Sequence, residues 1–96
     1  NEITIDTTAN TVYVNDKLLD ITRKEYDLLL YLAVNKNRVI SKSAIAEHIS
    51  GDNADYFDNF DFIYAHIKNL KKKLAIAGAE DYIKSIYGMG YKFEIN

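Results

Sequence analysis

The chain has 96 residues, with 14 Asp or Glu against 12 Lys or Arg, 48% hydrophobic residues, 27% charged residues and no Cys, Pro or Trp. That length sets one small domain, and that hydrophobicity is too high for disorder and sufficient for a core. Without Cys there are no disulfides, thiolate nucleophiles or Cys-based metal sites, a usage that fits a reducing compartment, with the cytoplasm as the default. The longest apolar run, Leu28 to Val34, is seven residues, well short of the roughly 20 that span a bilayer. No membrane partner is expected, and the polar start Asn1-Glu2 has no signal-peptide character.

Three bursts of alternation, Ile3 and Ile5, Val12 and Val14, then Leu19 and Ile21, predict an antiparallel meander with a turn at Asn15-Asp16. Thr22-Arg23-Lys24-Glu25 has capping-box spacing and starts a first helix, with Tyr26, Leu29, Leu30 and Ala33 inward and Asn35-Lys36-Asn37 at its end. Arg38-Val39-Ile40 is a brief extended connector. Ser41 is the N-cap of a short second helix facing inward with Ile45, Ala46 and Ile49 and stopping at Ser50-Gly51.

Gly51 to Asp58 is polar, acidic and aperiodic, hence a loop, and Asp58-Asn59-Phe60-Asp61 offers a cap for a third helix. Ile63, Ile67, Leu70 and Leu74 step by four, three and four, a single buried stripe closed by Gly78. Tyr82 to Tyr87 and Tyr91 to Ile95 are strand-prone runs around Gly88-Met89-Gly90, which predicts a terminal hairpin.

Most catalytic and metal constellations fail on inventory. His48 and His66 fall on different helices without a second His at metal spacing. Asp52, Asp55, Asp58 and Asp61 recur every three residues but miss the calcium-loop pattern, which needs alternate acids, a central glycine and a terminal glutamate. Gly88-Met89-Gly90 lacks the third glycine and the following helix of a dinucleotide loop. No cofactor and no enzyme activity are expected.

Charge is uneven: residues 1 to 61 hold 6 basic and 11 acidic side chains, residues 62 to 96 hold 6 basic and 3 acidic. On a helical wheel the face opposite the third helix's stripe carries Asp61, Ala65, Lys68, Asn69 and Lys72, with Lys71 on one flank and His66 and Lys73 on the other. Four lysines in six residues around a central amide suit a groove lined by phosphates, and Asn is able to bridge adenine N6 and N7. A lysine-rich outer face is also what a merely solvated helix presents.

Four ordered motifs carry a family resemblance. Leu19-Asp20-Ile21-Thr22-Arg23-Lys24-Glu25-Tyr26-Asp27-Leu28-Leu29 looks like the "L-T-x-x-E-[FY]-x-L-L" opening of helix one in OmpR/PhoB-type effector domains. Asn35-Lys36-Asn37-Arg38-Val39-Ile40-Ser41 resembles their connector. His66-Ile67-Lys68-Asn69-Leu70-Lys71-Lys72-Lys73-Leu74 resembles "H-I-x-x-L-R-x-K-[LI]" of the recognition helix, and Ile86-Tyr87-Gly88-Met89-Gly90-Tyr91-Lys92-Phe93 resembles "V-x-G-x-G-Y-x-[FL]" of the wing. The chain is thus similar to the C-terminal winged-helix domain of two-component response regulators.

The resemblance implies an α+β winged helix-turn-helix spanning residues 1 to 96, with an N-terminal antiparallel sheet, three helices and a hairpin wing. It implies sequence-specific binding of promoter DNA on direct half-sites, with Ala65, His66, Lys68, Asn69, Lys71, Lys72 and Lys73 at the major groove and Tyr87 and Lys92 on the wing. Tyr87 stands where related wings commonly carry an Arg. It further implies that Asp52, Asn53, Asp55 and Asp58 touch RNA polymerase, and that a phosphoacceptor receiver domain, served by a sensor histidine kinase, precedes the domain in a longer regulator. The isolated domain is expected to be a monomer. A winged-helix protein-interaction module without DNA binding is the competing reading, motivated by the sequence pI near 5.6.

Overall fold

The computed structural model describes residues 1–50 and 60–95, apart from the Ser50 side chain. The chain runs β1 (Ile3–Asp6), β2 (Thr11–Val14), β3 (Lys17–Leu18), α1 (Arg23–Val34), α2 (Lys42–Ser50), α3 (Asp61–Ile76), β4 (Ile83–Ile86) and β5 (Gly90–Phe93). β1, β2 and β3 form one antiparallel sheet in that order, and β4 with β5 forms a hairpin. This is the winged-helix architecture expected from the sequence.

The meander is set by its turns. Asp6 Oδ1 accepts from the backbone N–H of Thr8 and of Ala9 at 3.0 and 3.1 Å, closing the β1–β2 loop. Asn15 and Asp16 both adopt positive φ, 51° and 68°, the backbone that a two-residue hairpin turn requires. Val12 and Val14 point into the core. The third strand is shorter than the Leu19–Ile21 alternation implies: β3 is Lys17–Leu18. Only the Leu19 amide continues the ladder, to Val12 O at 2.8 Å. Beyond it the chain leaves the sheet to reach the Thr22 cap.

That cap forms as the spacing predicts. Thr22 Oγ1 accepts from Glu25 N at 3.1 Å, and Glu25 Oε1 accepts from Thr22 N at 2.9 Å. The buried face of α1 differs from the expected one. Leu28 and Leu32 are fully buried with Tyr26 and Leu29, whereas Leu30 and Ala33 are half-buried. α1 is covered by α2, α3 and β5 together, so its buried arc is wider than a stripe facing one neighbour.

Ser41 caps α2 by accepting from Ala44 N at 3.1 Å, and Ile45, Ala46 and Ile49 are buried. Gly51, expected to stop this helix, lies outside the described residues. The Lys24 ammonium donates to Ile49 O, satisfying a carbonyl in the last turn of α2.

In α3 all four stripe residues, Ile63, Ile67, Leu70 and Leu74, are buried. Its N-cap is Phe60, without a side-chain cap, in place of the expected Asp58 cap; Asp58 lies outside the described residues. Gly78, at φ +100°, follows the helix end as expected.

The wing is fastened at its base. Ile40 N donates to Tyr91 O at 2.8 Å and Tyr91 N to Ile40 O at 2.9 Å, joining the connector between α1 and α2 to β5. Tyr82 stacks on Phe93 with ring centroids 5.4 Å apart. The Tyr82 hydroxyl donates to Glu2 Oε1 and the Glu80 amide to Glu2 Oε2, both at 2.6 Å, which ties the first strand to the entry of β4.

Candidate nucleic-acid interface

The stripe on α3 fixes which residues turn outward. With Ile63, Ile67, Leu70 and Leu74 held in the core, Ala65, Lys68, Asn69 and Lys72 are exposed, as the helical period requires. Lys68 and Lys72 are one turn apart with Asn69 next to the first. Among the described residues, none of these three side chains has an ion-pair or hydrogen-bond partner.

The flanking residues also have partners within the domain. The Lys71 ammonium donates to Ile83 O at 3.0 Å and lies 3.5 Å from Asp81 Oδ1. That of Lys73 donates to Glu25 Oε1 at 2.7 Å. Both cations are thus committed within the domain, because the wheel angle that puts them beside the stripe also puts them within reach of β4 and α1. His66 is half-buried and sits edge-on to Phe62, with centroids 6.3 Å apart. His48 stacks on Tyr31 at 4.0 Å.

Glu25 is 2% exposed. Burial pushes its carboxyl upward, and the hydrogen bonds from Lys73 and the Thr22 amide outweigh that push, so it lies below the ordinary 4.5. A buried carboxylate in the first turn of α1 therefore holds the C-terminal half of α3.

One cation escaped the sequence reading. Lys42, at the start of α2, lies 5.1 Å above the Tyr64 ring on the first turn of α3. The neighbouring Tyr64 side chain holds the Lys42 ammonium above its usual range. Tyr91 of β5 faces the same cluster: burial raises its phenol, Tyr64 adds to the rise and Lys42 opposes it. α2, α3 and the wing meet at these three side chains. The signal available in the sequence was a lysine directly after the Ser41 cap; its pairing across 22 positions was not.

On the wing, Tyr87 is 99% exposed and Met89 is 61% exposed, around a turn closed by Met89 N to Ile86 O at 3.0 Å. Lys92 is half-buried with its ammonium 2.8 Å from Glu94 Oε1, and its cross-strand neighbour Lys84 lies 3.8 Å from Asp81. The Lys92 charge is therefore partly neutralised within the domain. Asp52, Asn53, Asp55 and Asp58 lie outside the described residues. Among the described residues, no three His, Asp or Glu side chains gather as a metal site, and no helix is long and apolar enough to cross a membrane.

The family described as "Transcriptional regulatory protein, C terminal" matches residues 16–93 of this sequence. The chain belongs to that family. It is 38% identical over 91 residues to the response regulator ArlR of Staphylococcus haemolyticus, covering 95% of this chain and 41% of ArlR. The chain thus spans about two fifths of the length of the curated relatives it matches.

Among solved structures, DrrB of Thermotoga maritima, an OmpR/PhoB homologue, superposes with a TM-score of 0.83 at 28% identity, over 99% of this chain and 42% of DrrB. The DNA-binding domain of the response regulator AdeR, solved in complex with an intercistronic region, superposes at 0.87 with 24% identity, over 100% of this chain and 97% of that domain. The latter likeness is one of fold. The chain is therefore a C-terminal effector domain of a transcriptional regulatory protein, of the OmpR/PhoB type, and the interaction-module reading is not favoured.

Proposed function

We infer that this effector domain binds promoter DNA sequence-specifically, with α3 in the major groove, the β4–β5 wing at the adjacent minor groove and no reaction catalysed. The observation that carries the reading is the outward face of α3, where an uncharged amide, Asn69, is flanked by two unpaired cations, Lys68 and Lys72, opposite a fully buried stripe. Lys68, Lys72 and Lys42 supply the phosphate contacts, Asn69 reads a base, and Ala65 leaves room for close approach. Lys71 and Lys73 support the helix from behind, and Lys92 contributes less than a free lysine.

In the longer protein a receiver domain, phosphorylated by a cytoplasmic relay from a sensor histidine kinase, pairs two copies of the domain. The copies then sit on direct half-sites about one DNA turn apart, which keeps both α3 helices on one side of the duplex. The domain alone is monomeric.

Asn69→Ala is expected to lower the preference for an operator over random duplex by about 5- to 150-fold, the range of about 1 to 3 kcal/mol for a bidentate amide–adenine pair, with the salt dependence unchanged. Lys72→Ala should weaken both duplexes nearly equally and reduce the salt slope by about one unit. Competition titrations at two salt concentrations, against an operator selected by the wild-type domain, measure both. Full operator preference in Asn69→Ala assigns base reading elsewhere.

We assign the acidic segment between α2 and α3, with Asp52, Asn53, Asp55 and Asp58, to contact with RNA polymerase. Asp52→Ala combined with Asp55→Ala should reduce transcription from a dependent promoter while leaving operator affinity within about twofold. Equal loss of DNA binding in a gel shift overturns that assignment.

A further inference from the structure

The tip of the wing has the wrong chemistry for a cation reading a minor groove. Tyr87 is 99% exposed and Met89 61% exposed, and Gly88 between them, at φ +71°, has no atom near a would-be Cβ. The nearest wing lysines, Lys84 and Lys92, sit beside Asp81 and Glu94. The most exposed part of the hairpin is therefore two uncharged, largely apolar side chains projecting from a tight turn.

The projection is held in place from below. Gly90 lies against the Ile40 backbone, and Ile40 and Tyr91 exchange both backbone hydrogen bonds. Tyr91 belongs to the cluster with Lys42 and Tyr64, so the strand that follows Met89 runs beside the first turn of α3. The wing is thereby anchored next to Lys42, a cation already assigned a phosphate contact.

We propose that Tyr87 and Met89 form an apolar wedge that enters the minor groove and partly opens a base step there, bending the duplex, in place of the electrostatic grip of a wing Arg. The occupant is duplex DNA because the wing is anchored beside Lys42, a proposed phosphate contact, and because apolar side chains are the groups that unstack base steps from the minor-groove side. The steps it favours are pyrimidine–purine steps, which kink at least cost. The proposal rests on the DNA-binding reading and adds to it a mode of readout that depends on deformability and not on charge.

The test uses the domain with a duplex carrying its selected operator, end-labelled for energy transfer and with 2-aminopurine replacing an adenine at the step under the wing. Wild-type binding is expected to shorten the end-to-end distance and raise 2-aminopurine emission. Tyr87→Ala with Met89→Ala should lose both signals and bind about tenfold more weakly, the scale of one aromatic–base contact, with an unchanged salt slope. Tyr87→Arg should regain affinity with a slope raised by about one unit and without the bend.

Thermal unfolding of each variant confirms that this exposed tip leaves the fold intact. The wedge is overturned if the double variant keeps wild-type affinity and bend, which would hand the tip to a protein contact. It is also overturned if its affinity loss appears entirely as a smaller salt slope. The absence of any salt-dependent duplex binding by the wild type would instead refute the DNA reading on which the wedge rests.

Discussion

Gly90→Ala is expected to remove most of the domain's stability, lowering the melting temperature by roughly 15 to 30 °C through a loss of about 3 to 5 kcal/mol. An ideal Cβ at this position would lie 2.0 Å from Ile40 O and 2.9 Å from Ser41 Cα, and the φ of +144° is one that side chains rarely adopt. The obstruction is backbone, so no rotamer change relieves it. Either the Ile40–Tyr91 bridge opens or the connector shifts, and both disturb the Ser41 cap of α2 as well. Gly88→Ala is the control: its φ is +71° with open space around it, so it should cost only about 1 kcal/mol of left-handed strain. Thermal unfolding followed by circular dichroism separates the two.

The second large effect is expected from Lys73→Met. Removing the ammonium leaves Glu25 buried with only the Thr22 hydrogen bonds. A broken buried pair costs about 3 to 5 kcal/mol. Because the Lys73 side chain is 35% exposed, a loss of about 2 kcal/mol at neutral pH is the expected value after allowance for solvent screening.

The pH dependence carries the sign. In the wild type the Glu25 carboxyl is held below its ordinary 4.5. Its contribution is then complete above that value and lost as pH falls through the lower, folded-state one. In Lys73→Met burial acts with less opposition and raises the carboxyl relative to the wild type, so the carboxylate becomes harder to keep. The stability gap between the two proteins should therefore widen from acid to neutral pH. Urea unfolding at pH 3.5 and at pH 7 tests this, and a gap that does not change with pH would show that Lys73 contributes packing alone.

What could be read from the sequence follows from how local each feature is. The α3 stripe was legible because Ile63, Ile67, Leu70 and Leu74 are the only aliphatic residues longer than alanine between Phe62 and Ala75, and the helix meets the core along one line. The phase of α1 was not, since Leu28, Leu29, Leu30, Tyr31 and Leu32 are consecutive and three neighbouring elements bury more than one face. The Thr22–Glu25 cap was legible at a separation of three residues. The second partner of Glu25 lies 48 residues away.

The same distinction divides the candidate interface. Periodicity alone selected the exposed face with Ala65, Lys68, Asn69 and Lys72. Which lysines keep a free charge depended on where Ile83, Asp81 and Glu25 come to lie, and that is decided by tertiary packing. The Lys42–Tyr64 pair depends on the packing of α2 against α3 in the same way.

The bridge between Ile40 and Tyr91 has a consequence for how the domain opens. A hairpin attached to a globule only through its own chain ends frays as a separate low-energy unit. Here one edge of β5 is stitched to the segment between the first two helices, and Asn37 adds two further bonds, from its amide to Phe93 O and from Ile95 N to its side chain. Releasing the wing therefore requires loosening the turn that orients α2, which makes hairpin and helices one cooperative folding unit. The ordering entropy of the wing is spent during folding, before any ligand arrives, so in the proposed complex a duplex would meet α3 and the wing already in register.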